Sequence, residues 1–405
     1  MSMRRSVRKH VKYAIAATID KGLRFIPRAV FPERFSPGDA QRLKTANFLL
    51  VVLDQLGDAI MATQVPEAIK QAYPASRITV LTRPMDEDIF ILNPYVDNLI
   101  TDDAPWWSSR PVRGCIQMGY WIRLIRKLIF LRRQEYDVVI DCRGDLRHLL
   151  LFGIAVKPRF LISYSRTGGK RLLSADIPYN EDEQEFKKKL SLLNPLLIYD
   201  RGQRPKIWLS DEELSLARQL IEECLGPRSK VALMDPGAKP AYQWPIDRFV
   251  EVARTMRQLT GAPVLVSWGP GHALLAEKLA KLAGDGVAKL LRPLTVRQLA
   301  AVVACCDVVI SADTGIAHVA HAVGTPAITL FGPADPARMW YGVEGGFSMR
   351  SPLACKFAHI HENCLRSPKS SPGLCMSGLK TETVVEAIKE WWEKRGSGEW
   401  SATRQ

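Results

Sequence analysis

The chain contains no CxxC pair, although eight cysteines are spread over its 405 residues, at positions 115, 142, 224, 305, 306, 355, 364 and 375. That spacing excludes a disulfide-stapled module and a paired-thiol zinc ribbon. No secretory leader is read at the N-terminus, so reduced thiols in a cytoplasmic protein are expected. Long apolar runs are also missing. The run Tyr13–Ile19 is too short to cross a bilayer and lies between Lys12 and Asp20, which excludes a transmembrane anchor there. Short-period repeats and low-complexity tracts are absent, which argues against a solenoid.

What is present is the composition of an ordinary globular protein, 47% hydrophobic and 24% charged. The length predicts two domains. The net charge of +14 points to an anionic partner, and its distribution narrows where that partner binds. Residues 1–45 hold 11 Lys and Arg against 3 Asp and Glu, a balance of +8 that leaves +6 for everything else. Arg4, Arg5, Arg8, Lys9 and Lys12 interleave with Val7, Val11, Ile15 and Ile19 at near-helical spacing. A basic amphipathic arm is therefore expected over 1–45. Two readings of it stand open: a solvated tail, or a segment docked on an anionic membrane surface.

From Asn47 the pattern becomes short apolar strands alternating with amphipathic helices. Strands are predicted at Asn47–Leu53, Ile78–Leu81 and Val138–Asp141, with helices at Ala59–Ala72 and through Leu149–Ile154. Continuous apolar strands separated by helices indicate a parallel sheet covered on both faces. This predicts an α/β domain over 46–200. The charged helix Asp182–Leu193 and the turn at Arg201–Pro205 read as a linker. The alternation restarts with Ser210 and Glu213, a capping box, and strands follow at Val231–Met234, Val264–Ser267, Val308–Ser311 and Ala327–Phe331. A second α/β domain is thus expected over 206–380, giving two Rossmann-like units with a cleft between them.

Four segments at strand ends could carry chemistry. Leu53-Asp54-Gln55-Leu56-Gly57-Asp58 follows the first strand, where open α/β sheets bind ligands. Asp58 there could accept a proton from a hydroxyl, or could simply cap a helix beginning near Ala59. Asp313-Thr314-Gly315-Ile316-Ala317-His318 follows another strand and opens a helix whose N–H groups, with the Thr314 hydroxyl, suit a diphosphate. The alternative is an Asp/Thr cap with a core histidine. Asp235-Pro236-Gly237-Ala238-Lys239 supplies backbone donors and one cation before Trp244-Pro245, and Gly269-Pro270-Gly271 is a similar but less specific turn. Cys355, His359, His361, Cys364 and Cys375 could in principle hold a metal, but they lack the paired spacing of zinc sites, so loop packing is the expectation.

Together these segments resemble glycosyltransferase family 9, which contains the ADP-heptose:lipopolysaccharide heptosyltransferases. The resemblance rests on Leu53–Asp58, Tyr136–Asp141, Asp235–Ala238, Trp244-Pro245, Asp313–His318, Gly324-Thr325-Pro326 and Phe331–Pro336, in that order, and covers about 46–392. It implies the GT-B architecture: an acceptor-binding N-terminal domain, a donor-binding C-terminal domain, and a C-terminal helix over 381–395 packing back toward the first domain. It also implies an inverting transfer without a catalytic metal or other cofactor. Asp58 matches the general base, and Asp313, Thr314, Gly315 and His318 match the donor segment, with Lys239 as a further donor contact. Gly57, Arg143 and Arg147 are the acceptor-side candidates. In two places the chain departs from the pattern, with Tyr242 where a Lys is frequent and Arg143 where a Gln is frequent.

The implied partners are a nucleotide-sugar donor, a phosphorylated glycolipid acceptor and the anionic inner face of the cytoplasmic membrane. Two alternatives remain at this level: transfer of another sugar to O-antigen or capsule, and a nucleotide-sugar binder without catalysis. A nucleic-acid binder is disfavoured because more than half the excess charge sits in one tail and no nucleic-acid motif occurs.

Overall fold

The computed structural model describes residues 18, 21–23, 25–36, 38–102, 118–227, 230–353 and 374–397. Residues 1–17, the most basic part of the expected arm, lie outside the described residues, as do Cys355, His359, His361 and Cys364. The chain divides into two compact units, Met1–Pro205 and Lys206–Gln405.

In the first unit the strands β1 (Asn47–Val52), β2 (Arg77–Thr82), β3 (Asn98–Thr101), β4 (Val138–Asp141), β5 (Phe160–Ser163) and β6 (Ala175–Asp176) form one sheet in the order β3-β2-β1-β4-β5-β6. Every neighbouring pair is parallel, with Leu50 opposite both Val80 and Ile140. The central strands are buried along nearly their whole length, which is why they read as unbroken apolar runs. The second unit repeats the plan. Its strands β7 (Ala232–Asp235), β8 (Val264–Val266), β9 (Ala288–Leu290), β10 (Val308–Ala312), β11 (Ala327–Phe331) and β12 (Phe347–Arg350) lie in the order β12-β11-β10-β7-β8-β9, again all parallel. In each unit the chain lays strands outward on one side of the first strand, then crosses back to the other side.

Three local expectations need correction. The helix predicted over Ala59–Ala72 is two helices, Leu56–Ile60 and Val65–Ala72. Pro66 stands in the first turn of the second one, where its missing N–H costs nothing, whereas in a continuous helix it would remove a bond and clash with the preceding turn. The helix around Leu149–Ile154 is Leu146–Leu150 running into a π-helical turn, Leu151–Val156, which stops at Lys157 with φ of 57°. The charged helix read as part of a linker is Glu185–Ser191, and its Lys188 and Lys189 are buried.

Described residues of the 1–45 segment also pack on the first unit. Leu23 and Phe31 join its core, the Glu33 N–H donates to the Arg159 carbonyl, and Phe35 meets Phe160 edge-on. In the second unit the helix Thr381–Ser397 sets Val384, Ile388 and Trp391 into the same core as Trp244, Phe249 and Met256. Trp244 Nε1 donates to the Leu379 carbonyl at 3.0 Å, so the Trp-Pro pair anchors the approach to that helix. Trp244→Ala should cost the second unit about 3–5 kcal/mol by opening a cavity and removing one of the two donors to that carbonyl, the other being Arg248. Denaturant unfolding followed by hydrogen exchange of Thr381–Ser397 would show the loss; an unchanged midpoint would deny the anchor.

Candidate functional site

Reversal of strand order separates the connections leaving β1 and β4, and likewise those leaving β7 and β10, so an open crevice is left at each pair of carboxyl ends. Three of the segments singled out from sequence fall on these ends, as does the loop carrying Arg143 and Arg147, whereas Gly269-Pro270-Gly271 follows β8. Asp54–Asp58 leaves β1, Cys142–Arg147 leaves β4, Pro236–Lys239 leaves β7, and Asp313–His318 leaves β10.

At β1, Gln55 occupies the N-cap of Leu56–Ile60 without a side-chain capping bond, and Gly57 and Asp58 lie in the first turn. Asp58 is therefore not the cap that position alone suggested. Its carboxyl is partly open to solvent yet deeply enclosed by protein, and this desolvation, aided by Asp54 and Glu185, pushes its pKa up to about 7. Lys189 and Arg166 act in the opposite direction. A carboxyl poised near neutrality at an open strand end has the properties of a general base.

The groups around Asp58 are held by structure distant in sequence. Lys189 Nζ donates to the Cys142 carbonyl at 2.8 Å, at the end of β4. Burial works against the Lys189 charge, but Asp58 and Asp54 outweigh it and raise its pKa. Its helix is pinned from two sides: Gln64 Nε2 donates to the Phe186 carbonyl at 2.8 Å, and the Tyr164 hydroxyl donates to the Lys188 carbonyl. Glu185 accepts from Lys188 Nζ at 2.8 Å and from the Tyr179 hydroxyl at 3.1 Å, while the Arg166 guanidinium lies 4.1 Å from the Tyr179 ring centroid. None of Lys189, Arg166, Tyr179 and Glu185 was singled out from sequence. The one available signal was adjacent lysines in a helix with phenylalanine and leucine, and that helix read as part of a linker.

The two arginines expected on the acceptor side are placed differently. Arg143 reaches back over the end of β1, donating to the Leu53 carbonyl at 3.0 Å with Asp54 at 3.8 Å. Arg147 instead forms two 2.8 Å bonds to Asp145, the N-cap of Leu146–Leu150. Burial would raise the Asp145 pKa, but this bidentate pair holds it well below the usual carboxylate range. Between them Gly144 has φ of 70°, and a Cβ there would meet the Tyr164 carbonyl oxygen at 2.6 Å, so the turn that aims Arg143 requires glycine.

In the second unit, Asp235 accepts from the Gly237 N–H at 2.7 Å and from the Ser267 hydroxyl at 3.1 Å, tying the β7 and β8 ends together. Burial pushes its pKa up to about 7 against those bonds. A Cβ on Gly237 would meet Asp235 and the His272 ring at 2.9 Å, so this loop runs too close for a side chain. Thr314 is the N-cap of Gly315–Val323, but its hydroxyl does not cap; it lies 3.4 Å from the Ala312 carbonyl. Asp313 is lifted to about 7 by burial, with the Lys239 charge opposing the rise, so these two segments face one another. His318 Nε2 lies 3.9 Å from Asp313 Oδ1, and its ring stacks on Tyr341. Burial lowers the His318 pKa to about 4, so at neutral pH it is an uncharged hydrogen-bonding group, not a cation. Its Nδ1 has no hydrogen-bond partner among the described residues. Tyr242 packs against the core and brings no charge to the loop.

Among the described residues no group of three or more His, Cys, Asp or Glu side chains is placed to hold a metal. Cys375 is buried, and its expected companions lie outside the described residues. No described helix is long and apolar enough to cross a membrane.

Residues 121–352 match the model of glycosyltransferase family 9 (heptosyltransferase). The chain is 34% identical over 242 residues to lipopolysaccharide heptosyltransferase 1 of Salmonella typhimurium, covering 55% of this chain and 67% of that protein. A family 9 glycosyl transferase from Veillonella parvula superposes with a TM-score of 0.72 at 18% identity, covering 86% and 98% of the two chains. The E. coli heptosyltransferase WaaC, solved with ADP-2-deoxy-2-fluoro heptose, does so with a TM-score of 0.64 at 19% identity over 85% and 99%. Each unit therefore has the Rossmann-like architecture of the GT-B heptosyltransferases, and the chain belongs to glycosyltransferase family 9.

Proposed function

We propose that this enzyme transfers heptose from ADP-heptose to a lipopolysaccharide core acceptor with inversion, the first unit binding the acceptor and the second the donor. The observation that carries this reading is the enclosed Asp58 carboxyl at the end of β1, titrating near neutrality beside Lys189 and Arg166. In the reaction an acceptor hydroxyl oxygen attacks the anomeric carbon of the donor. The new C–O bond forms as the bond from that carbon to the diphosphate breaks, the bonding electron pair leaves with ADP, and the hydroxyl proton passes to Asp58. A single displacement inverts the anomeric centre. The N–H groups opening Gly315–Val323, the Thr314 hydroxyl and Lys239 would meet the charge developing on the diphosphate. Neutral His318 would contribute a hydrogen bond. Arg143, beside Asp54 at the end of β1, is assigned with Gly57 to the acceptor and would meet its anionic groups. Placing a lipid-linked acceptor within reach is assigned to the inner face of the cytoplasmic membrane, with the basic arm of residues 1–17 attracted to anionic headgroups.

Asp58 serves as a base only when ionised, so kcat/KM should fall as pH drops through about 7. Asp58→Ala should lower kcat by ~10²–10⁴ while preserving thermal stabilisation by donor. Lys189→Met removes a cation that favours the ionised base, so the acidic limb should move to higher pH. A uniform loss of activity with the limb unmoved would reduce Lys189 to a structural role.

Asp313 works in the opposite sense. Its protonated form removes a negative charge from beside the diphosphate, so donor should bind more tightly below about pH 7. Calorimetry with ADP-2-deoxy-2-fluoro heptose, which lacks a terminal phosphate titrating in that range, should show the trend, and Asp313→Asn should flatten it. On this reading protein groups alone meet the charge, so turnover is expected to be the same with excess EDTA. A loss restored by one divalent cation would overturn that part of the reading.

A further inference from the structure

The helix Met118–Arg132 has no role in either site, and its two sides differ. Leu124 and Leu131 are buried, and Leu128 packs against the core of the first unit. Lys127 Nζ donates to the Thr101 carbonyl at 3.1 Å, fixing the helix beside the end of β3. The outward side is also apolar: Ile122, Ile125, Ile129 and Phe130 are 44%, 53%, 46% and 47% exposed. The three isoleucines recur at helical spacing, so they form one stripe. Arg126 and Arg133 flank that stripe, and Arg132 is exposed as well. From Ala104 to Gln134 the chain carries seven Lys and Arg and no Asp or Glu.

A soluble surface rarely gathers large aliphatic side chains in this way without a use for them. The charge decides what covers them. A second copy of this face would set cations against cations with no carboxylate between, which disfavours self-association. An anionic bilayer satisfies both features: the isoleucines and Phe130 enter the boundary between headgroups and acyl chains while the arginines remain among the phosphates. We infer that the outward face of Met118–Arg132 is a docking surface for an anionic phospholipid bilayer, separate from the N-terminal arm. This deepens the reading of a lipid-linked acceptor, because the helix would hold the first unit, with Asp58, against the surface where such an acceptor lies.

The test uses the full-length protein and vesicles of phosphatidylcholine alone or mixed with phosphatidylglycerol, without donor or acceptor, so its failure is distinguishable from failure of the catalytic reading. Wild type should sediment with the phosphatidylglycerol vesicles, and amides of residues 118–132 should exchange more slowly there. Ile125→Ser combined with Ile129→Ser should weaken partitioning by about tenfold or more, with an unchanged melting temperature and unchanged turnover of a delipidated acceptor. Three results would overturn the inference. One is equal partitioning of the double variant, with binding lost only when residues 1–17 are removed. Another is exchange at 118–132 unaffected by vesicles in the wild-type chain, a readout that does not depend on how the variant folds. The third is a concentration-dependent dimer abolished by the double variant without vesicle binding, which would give the face to a second copy.

Discussion

A strand in a parallel sheet can be followed by its neighbour on only one side at a time, so a chain that fills one side first must cross over to fill the other. The crossing leaves an uncovered crevice at two adjacent carboxyl ends. In this protein that happens twice, between β1 and β4 and between β7 and β10. The glycines and acidic residues singled out as candidates, Gly57, Asp58, Asp313 and Gly315, sit at those strand ends because backbone and solvent are both within reach there. The rest of each sheet is sealed, as the buried runs of β1 and β10 show.

Within the crevices, one electrostatic device recurs. Asp58, Asp235 and Asp313 are all enclosed enough to be lifted to about 7, and each is countered by a different means. Asp58 faces Lys189 and Arg166, Asp235 accepts two hydrogen bonds, and Asp313 faces Lys239. A carboxyl fully compensated by partners would be locked in its ionised form, as Asp145 is by Arg147. Partial compensation leaves a group that changes protonation near neutral pH, which a base must do and a structural ion pair must not.

The second unit holds the segment Asp313–His318 with features that read as motif but act as packing. Gly324 closes the helix carrying His318 in a left-handed conformation, and Thr325 then bonds the Val303 carbonyl at 2.8 Å. Asp335 caps the short helix Pro336–Met339, from which the chain passes to Tyr341 stacked on His318. Trp244 and Trp391 share one core, so the loop after β7 and the C-terminal helix are supported by the same contacts.

The sequence by itself determined the two α/β units, their central strands, the four strand-end segments and the family, because buried-strand periodicity, capping and turn chemistry are encoded within a few consecutive residues. It placed Asp58 beside a helix start but not inside the first turn, and it missed the break at Pro66 and the short strands β3, β5, β6, β9 and β12, whose pairing depends on neighbours. Only the tertiary structure decided the company Asp58 keeps. Lys189 reaches the Cys142 carbonyl across 47 residues and Gln64 reaches Phe186 across 122, so the field at Asp58 is assembled from segments that carry no local sign of it. The same holds for neutral His318 and for the outward isoleucines of Met118–Arg132. Helical periodicity marks which residues share a face, but whether that face is covered is settled only when the other elements are in place.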